Sequence, residues 1–254
     1  MKKILSIAGS DPSGGAGLQA DIKTIQAHKM YAMSVITALT AQNTSGVFGV
    51  LRVDTDFIKA QIKACFDECE IDFVKIGMLY DEEIINCVKN TLNGYSKIVL
   101  DPVMVSTSGA RLLDERAINA IKDFAKNVYL ITPNLYEAEV LLGEKITNEK
   151  DAINAAKSLE KTLNCKVLLK GGHLKASDFL SENGEITIFK GEKIKNIVTH
   201  GTGCTLSSAI ACNLALNEDI KTACKNAKDY VSNALKNSFN FNYKVKLLNH
   251  FVAL

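Results

Sequence analysis

Short apolar runs alternating with longer amphipathic stretches constrain this chain more than any other feature of it. The runs Ile4–Ala8, Met33–Leu39, Phe73–Ile76, Ile98–Leu100, Val128–Thr132 and Val167–Leu169 lack a polar face. Strands of that kind are buried on both sides, as they are in parallel sheets. Between them, Asp54–Glu70 puts Phe57, Ile58, Ile62, Cys65, Phe66 and Cys69 on one helical face. Glu82–Leu92, Arg116–Lys126, Glu137–Leu142 and Lys150–Leu163 are further helix candidates, with Asp81, Asp114 and Asn148 placed as caps near three of these starts. The alternation predicts an α/β fold: a central, mostly parallel sheet with helices on both faces. A small β hairpin is expected where Phe179–Leu180 and Glu185–Phe189 flank Ser181-Glu182-Asn183-Gly184, because Asn-Gly suits a left-handed turn. A further run, Lys193–Thr199, leads into a glycine motif, after which the chain reads as helical to about Asn237. No linker, low-complexity tract or repeat interrupts this order, so residues 1–254 are expected to form a single domain.

Charge and cysteine usage narrow the class. The net charge is +2, with Lys and Arg scattered among acids, which argues against nucleic acid or an anionic membrane surface as partner. No segment approaches the roughly 20 apolar residues of a membrane span. Met1-Lys2-Lys3 followed by Ile4–Ala8 opens like a signal peptide, but the apolar run stops at Gly9-Ser10-Asp11-Pro12, too early for an h-region. Seven cysteines form no disulfide-like framework, so the expected compartment is the reducing cytoplasm. Cys65 and Cys69, one helical turn apart, have no second pair at zinc spacing and read as core.

Ligands of open parallel sheets bind beyond the carboxyl ends of the strands. Polar and glycine punctuation gathers there in seven places: Gly9–Gly17, Thr40–Asn43, Gly77-Met78, Asp101–Gly109, Pro133-Asn134, Lys170–His173 and Gly201–Cys204. A single cleft is the economical interpretation. In His200-Gly201-Thr202-Gly203-Cys204-Thr205-Leu206-Ser207-Ser208, two glycines let the backbone turn and expose consecutive N–H groups. The run Cys204–Leu216 reads as a helix, whose positive end would hold an anion, most naturally a phosphate in transfer. Cys204 falls in the first turn, where that field is expected to lower a thiol pKa. A plain helix start with a core cysteine is the bland alternative. Gly15-Ala16-Gly17-Leu18-Gln19-Ala20 matches a dinucleotide fingerprint, but Thr40-Ala41-Gln42-Asn43 supplies no acid for a ribose and the loop from Gly9 is too long. Neither G-x-x-x-x-G-K-[ST] nor G-x-S-x-G occurs.

Six motifs stand in order along the chain. They are Ala8-Gly9-Ser10-Asp11-Pro12-Ser13-Gly14-Gly15-Ala16-Gly17, Ala38-Leu39-Thr40-Ala41-Gln42-Asn43-Thr44, Asp101-Pro102-Val103-Met104, Thr132-Pro133-Asn134-Leu135-Tyr136-Glu137-Ala138-Glu139, Lys170-Gly171-Gly172-His173 and His200-Gly201-Thr202-Gly203-Cys204-Thr205. On these motifs the chain, over nearly its whole length, resembles the ribokinase-like family and within it the hydroxymethylpyrimidine/phosphomethylpyrimidine kinases of thiamine biosynthesis. Cys204 stands where most ribokinase-like sugar kinases carry an aspartate, and so matches this subgroup. The resemblance implies ATP as co-substrate, Mg2+ as cofactor and a homodimer, for which the apolar strands of the 179–199 segment offer an interface. It implies that Gly201, Thr202 and Gly203 stabilise charge on the moving phosphoryl group with Cys204 beside them as a candidate base. It also implies that Lys170, Asn134 and Asp101 serve ATP, and that Glu137 and Asp101 serve the metal. Gln42 would pair with the donor and acceptor of an aminopyrimidine, Asp21 would bind its amino or hydroxymethyl group, and Gly9, Met78 and Val105 would line the ring pocket. Pyridoxal kinase activity and a non-catalytic pyrimidine- or nucleotide-binding regulator are the alternatives. His28, His173 and His200 are expected to lie outside catalysis, His28 at the surface and the other two structuring loops.

Overall fold

The apolar runs become neighbouring strands of one sheet in the computed structural model, which describes residues 1–104, 115–172, 174, 177–191, 199–240 and 245–252. Strands β1 (Lys3–Ser10), β2 (Tyr31–Asn43), β3 (Gly46–Arg52), β4 (Phe73–Ile76), β5 (Ile98–Leu100), β6 (Leu130–Ile131), β7 (Lys166–Lys170), β8 (Asp178–Glu182) and β9 (Glu185–Phe189) lie in the order β3-β2-β1-β4-β5-β6-β7-β8-β9. Pairing is parallel from β2 to β7. It is antiparallel at β3, β8 and β9. The expected hairpin is β8–β9, and Asn183 and Gly184 both take the positive φ its turn requires (54° and 77°). A short parallel pair, β10 (Thr199–His200) with β11 (Lys246–Leu247), stands apart from the main sheet. Residues 193–198 of the expected Lys193–Thr199 run lie outside the described residues.

Along β5, Ile98 and Leu100 face one core cluster and Val99 the other, the two-residue alternation of a strand covered on both sides. The helices α1 (Gly17–Ala27), α2 (Thr55–Glu68), α3 (Glu82–Thr91), α4 (Glu115–Ala125), α5 (Leu135–Leu142), α6 (Glu149–Leu163), α7 (Thr202–Ala215) and α8 (Ile220–Lys236) divide between those faces. Ile58, Ile84, Phe124 and Leu159 from α2, α3, α4 and α6 cover the first. Ile25, Ile210 and Tyr230 from α1, α7 and α8 cover the second. Local signals explain the starts: the side chains of Asp54, Asp81 and Asn148 accept from first-turn amides of α2, α3 and α6. Asp114 lies outside the described residues. The helical tract after the glycine motif breaks once, where Asn217 has φ 64° and Asp219 caps α8.

Two expectations need correction. Thr40–Asn43 is the end of β2 rather than a loop, because β3 pairs with it from Ala38↔Arg52 to Asn43↔Gly46. Phe179 and Leu180 are core, and among the described apolar side chains of the 179–199 segment only Ile188 is exposed, at 36%. The exposed apolar side chains gather instead on β2–β3, where Phe48 is 71% and Leu51 64% exposed beside Leu39 and Val50. Among the described residues no helix is long and apolar enough to cross a membrane. The chain leaves β1 for β2 on one side and later returns to β4 on the other. The strand order therefore reverses beside β1, and a crevice opens at the carboxyl ends.

Candidate active site

A cavity of about 280 Å³ occupies that crevice. Separated segments line it, among them Ala8–Asp11 at the end of β1, Thr40 and Gln42 on β2, Gly77-Met78 after β4, Asp101 and Val103 after β5, Asn134 and Glu137 at α5, Lys170 ending β7, and His200–Cys204.

The glycine motif forms the floor. Gly201 is the N-cap of α7 at φ 85°, and a Cβ there would overlap the carbonyl oxygen of Gly15. Only glycine permits both the left-handed turn and that contact. The first intrahelical bond runs from Thr205 N to Gly201 O at 2.9 Å. The amides of Thr202, Gly203 and Cys204 therefore stand at the positive end of the helix, free of intrahelical acceptors. A Cβ on Gly203 would come within 3.4 Å of both Asp101 Oδ2 and Lys170 Nζ, so the floor meets a charged wall.

In that wall Lys170 Nζ lies 2.6 Å from Asp101 Oδ1 and 4.0 Å from Glu137 Oε2, with its side chain only 15% exposed. It is not a surface lysine. Asn134 and Glu137 close a capping box on α5: Glu137 N donates to Asn134 Oδ1 (2.9 Å) and Asn134 N to Glu137 Oε2 (2.7 Å). Burial pushes the Glu137 carboxyl up to about 7; Asp101 adds to the shift, while Lys170 and the amides of Asn134 and Met104 oppose it. Burial also disfavours the charge on Lys170, yet Asp101 and Glu137 outweigh it and hold that ammonium above its ordinary range.

Cys204 is half-buried at the cavity, in the first turn as expected. Its titration is not as expected. Burial, with Asp21 and Asp101, pushes the thiol up to about 11, against the downward pull of Lys75 and a bond from the Gly17 backbone. Desolvation exceeds the helix field, so the thiol is neutral near pH 7.

Asp21 is also placed differently. It is fully buried and does not line the cavity. Its carboxylate accepts from Lys75 Nζ (2.8 and 2.9 Å), Ser6 Oγ (2.6 Å) and Ser208 Oγ (2.8 Å). The reason is its site on α1, whose inner face looks into the sheet. Lys75 was missed by sequence reasoning although it lines the cavity and is 0% exposed. The available signal was a lone lysine inside the buried run Phe73–Ile76, which obliges a carboxylate to be near. Burial disfavours the Lys75 charge, but Asp21, with Asp101 beyond it, holds it ionised above its usual range.

Gln42, Gly9 and Met78 also line the cavity. A Cβ on Gly9 would overlap the Met78 methyl. Val105 and His173 lie outside the described residues. His200, expected only to structure a loop, is buried in the cavity wall between Asp11 and Gln42. Nothing local marks it; its partners are far away in sequence. His28, expected at the surface, is buried, with Nδ1 2.8 Å from Thr24 O and its ring edge-on to Tyr230; burial lowers its pKa.

Residues 11–249 match the family described as phosphomethylpyrimidine kinase. The hydroxymethylpyrimidine/phosphomethylpyrimidine kinase of Aquifex aeolicus is 45% identical over 240 residues, covering 92% of this chain and 94% of that one. The crystal structure of phosphomethylpyrimidine kinase from Clostridium difficile is similar at TM-score 0.82 and 42% identity, over 91% of this chain and 98% of that one. The ADP complex of Bacillus subtilis pyridoxal kinase is similar at TM-score 0.89 and 36% identity, over 98% and 97%.

Proposed function

Because the chain belongs to the phosphomethylpyrimidine kinase family, we propose that its cavity is divided between a nucleotide side and a pyrimidine side, with the α7 floor between them. The reaction is phosphoryl transfer from ATP to 4-amino-5-hydroxymethyl-2-methylpyrimidine and then to its monophosphate, as in thiamine biosynthesis. One observation carries the division. The exposed amides of α7 meet the Asp101–Lys170–Glu137 cluster on one side, and Gln42 with Gly9 and Met78 stands on the other, all in a single cavity.

On the nucleotide side, Lys170, Asn134 and Asp101 hold the ATP phosphates. The amides of Gly201, Thr202 and Gly203 face the charge that spreads over the moving phosphoryl group. Among the described residues no three His, Cys, Asp or Glu side chains could cage a metal. The two carboxylates present, Asp101 and Glu137, fit Mg2+, which keeps most of its waters and takes its other ligands from phosphates. Bound there, the ion neutralises phosphate charge. Glu137 must lose its proton to help hold it.

On the pyrimidine side, Gln42 pairs with the ring's amino donor and adjacent acceptor, and Gly9 and Met78 enclose the ring. Cys204 sits where the attacking oxygen must lie. A fixed carboxylate there would repel the monophosphate by roughly 4 kcal/mol at 4 Å; a neutral thiol does not. Phosphoryl transfer passes through a loose transition state that asks for little proton removal beforehand, so a thiol that stays protonated serves both steps by packing and hydrogen bonding. The retained charged cluster speaks against a regulator without turnover, and Gln42 favours the pyrimidine over pyridoxal. We place the enzyme in the cytoplasm on its free cysteines, as a homodimer of single-domain subunits joined through β2–β3.

Coupled ADP release with the pyrimidine, its monophosphate, pyridoxal and ribose side by side tests the function. Turnover of the first two is expected to exceed that of pyridoxal, and ribose to be inert. Preference for pyridoxal would overturn the substrate reading, and no turnover of any would favour the regulator.

A further inference from the structure

Side chains from distant parts of the chain meet in the ring-side wall, and their donors and acceptors admit one arrangement. His200 Nε2 lies 2.9 Å from Asp11 Oδ2 and 3.1 Å from the Gln42 side-chain amide. Asp11 also accepts from Ser13 N (2.9 Å) and Ala16 N (2.8 Å). Burial works against its charge, but these bonds and the one from His200 hold its carboxyl below the ordinary range. A carboxylate only accepts, so Nε2 of His200 must carry a proton, whatever Nδ1 does. That one proton is directed at Asp11 and at most shared with Gln42, and a protonated Nε2 keeps no lone pair, so of the two ends of the carboxamide only the oxygen faces it without opposing a donor. At the other end of the amide, Thr40 Oγ1 is 2.9 Å from Ser10 O and 3.3 Å from Gln42. A hydroxyl has one proton, and the Ser10 carbonyl, which cannot donate, takes it. Thr40 can then only accept from Gln42. With Nε2 of Gln42 toward His200, two donors would oppose each other at one end and two acceptors at the other. Oxygen and nitrogen of a carboxamide are nearly isosteric, so the network decides which is which.

We infer that Asp11 and His200 are positioning residues that lock the Gln42 carboxamide with Oε1 on the His200 side and Nε2 on the Thr40 side, and so select a ring whose donor and acceptor stand in that order. This rests on the reading of Gln42 as a ring-binding residue. The amino group of an aminopyrimidine then lies on the His200 side and its ring nitrogen on the Thr40 side. A ring with a carbonyl in place of the amino group brings an acceptor against Oε1. Gln42 cannot turn over to accommodate it, because turning breaks both of its own bonds. The lock discriminates by leaving the wrong ring unpaired against a half-buried amide that cannot turn to meet it.

Two substitutions test the lock. His200→Met removes the donor and frees the amide to turn; His200→Gln keeps an N–H at similar reach. In His200→Met the KM for the pyrimidine is expected to rise about tenfold, the KM for ATP to stay unchanged, and the preference for pyrimidine over pyridoxal to shrink by a similar factor. His200→Gln should restore most of each. Gln42→Leu, measured alongside, separates the two claims. An unchanged pyrimidine KM in Gln42→Leu would remove Gln42 from the site. A raised KM there with unaltered preference in His200→Met would overturn the lock alone. A second measurement needs no variant to fold: 15N NMR of histidine-labelled protein should show His200 protonated at Nε2, and an unprotonated Nε2 would overturn the inference.

Discussion

Glu137 shares its corner with a lysine and a second carboxylate, and burial still dominates its titration, pushing it up to about 7 from 4.5. Between those values the folded protein keeps a proton that the unfolded chain has lost. This group's contribution to stability therefore falls as pH rises through that window, by about 1.4 kcal/mol for each pH unit crossed. Glu137→Gln is neutral throughout and should flatten that part of the stability–pH curve, read from urea midpoints between about pH 5 and 7. The same proton must leave before a cation binds. Magnesium affinity of the parent is thus expected to climb toward pH 7 and level off, while Glu137→Gln needs more magnesium near and above pH 7, the gap closing as pH falls. Superimposable magnesium titrations would take Glu137 out of the metal site. Cys204 follows the same charge logic from the same cause, burial disfavouring its anion. With its thiol near 11, alkylation followed by mass spectrometry should be slow at neutral pH and still accelerating well above the ordinary thiol range. Cys204→Ser should lose less than about tenfold on either substrate, where removal of a true general base costs about 10²–10⁴. A much larger loss on the alcohol step alone would restore the base.

At the scale of elements, the Asp21 carboxylate ties β1, β4, α1 and α7 together through Ser6, Lys75 and Ser208. Ser208 lies one helical turn after Cys204, so the brace sets the depth of the α7 floor beneath the cavity. Lys75→Met would strand Asp21 without its counter-charge, at a cost of about 3–5 kcal/mol. Lys75→Met with Asp21→Leu removes both charges and should recover much of that loss. Denaturant unfolding of the two variants decides: equal losses would mean that packing, not charge, holds the brace. The capping box of Asn134 and Glu137 shows how a side chain serves two scales, starting a helix and lining the cavity at once.

For the whole molecule, the exposed apolar surface of β2–β3 abuts Gln42, Val47 and Val50 of the cavity lining. A second copy seated there would cover Phe48 and Leu51 and restrict the mouth of the ring side. Phe48→Asp with Leu51→Asp should convert a dimer to a monomer in sedimentation velocity and raise the pyrimidine KM. An unchanged dimer would place the interface elsewhere.

Strand and helix positions were legible in the sequence because their causes are local. Buried runs such as Phe73–Ile76 and Ile98–Leu100 match their strands residue for residue, and Asp81 and Asn148 cap the helices that follow them. β3 was not legible: Gly46–Arg52 is an edge strand with no buried residue to give it a period. The motif order also marked Gln42, Glu137, Lys170 and Gly201–Cys204 as cavity residues, since each closes a strand or opens a helix at one sheet edge. Partnership across the fold was beyond it. Lys75 finds Asp21 across 54 residues and His200 finds Asp11 across 189, and only the packed sheet brings those positions together. The Cys204 thiol was misjudged for the same reason: a helix terminus can be read from neighbours in the chain, whereas desolvation depends on everything that closes around the group in space.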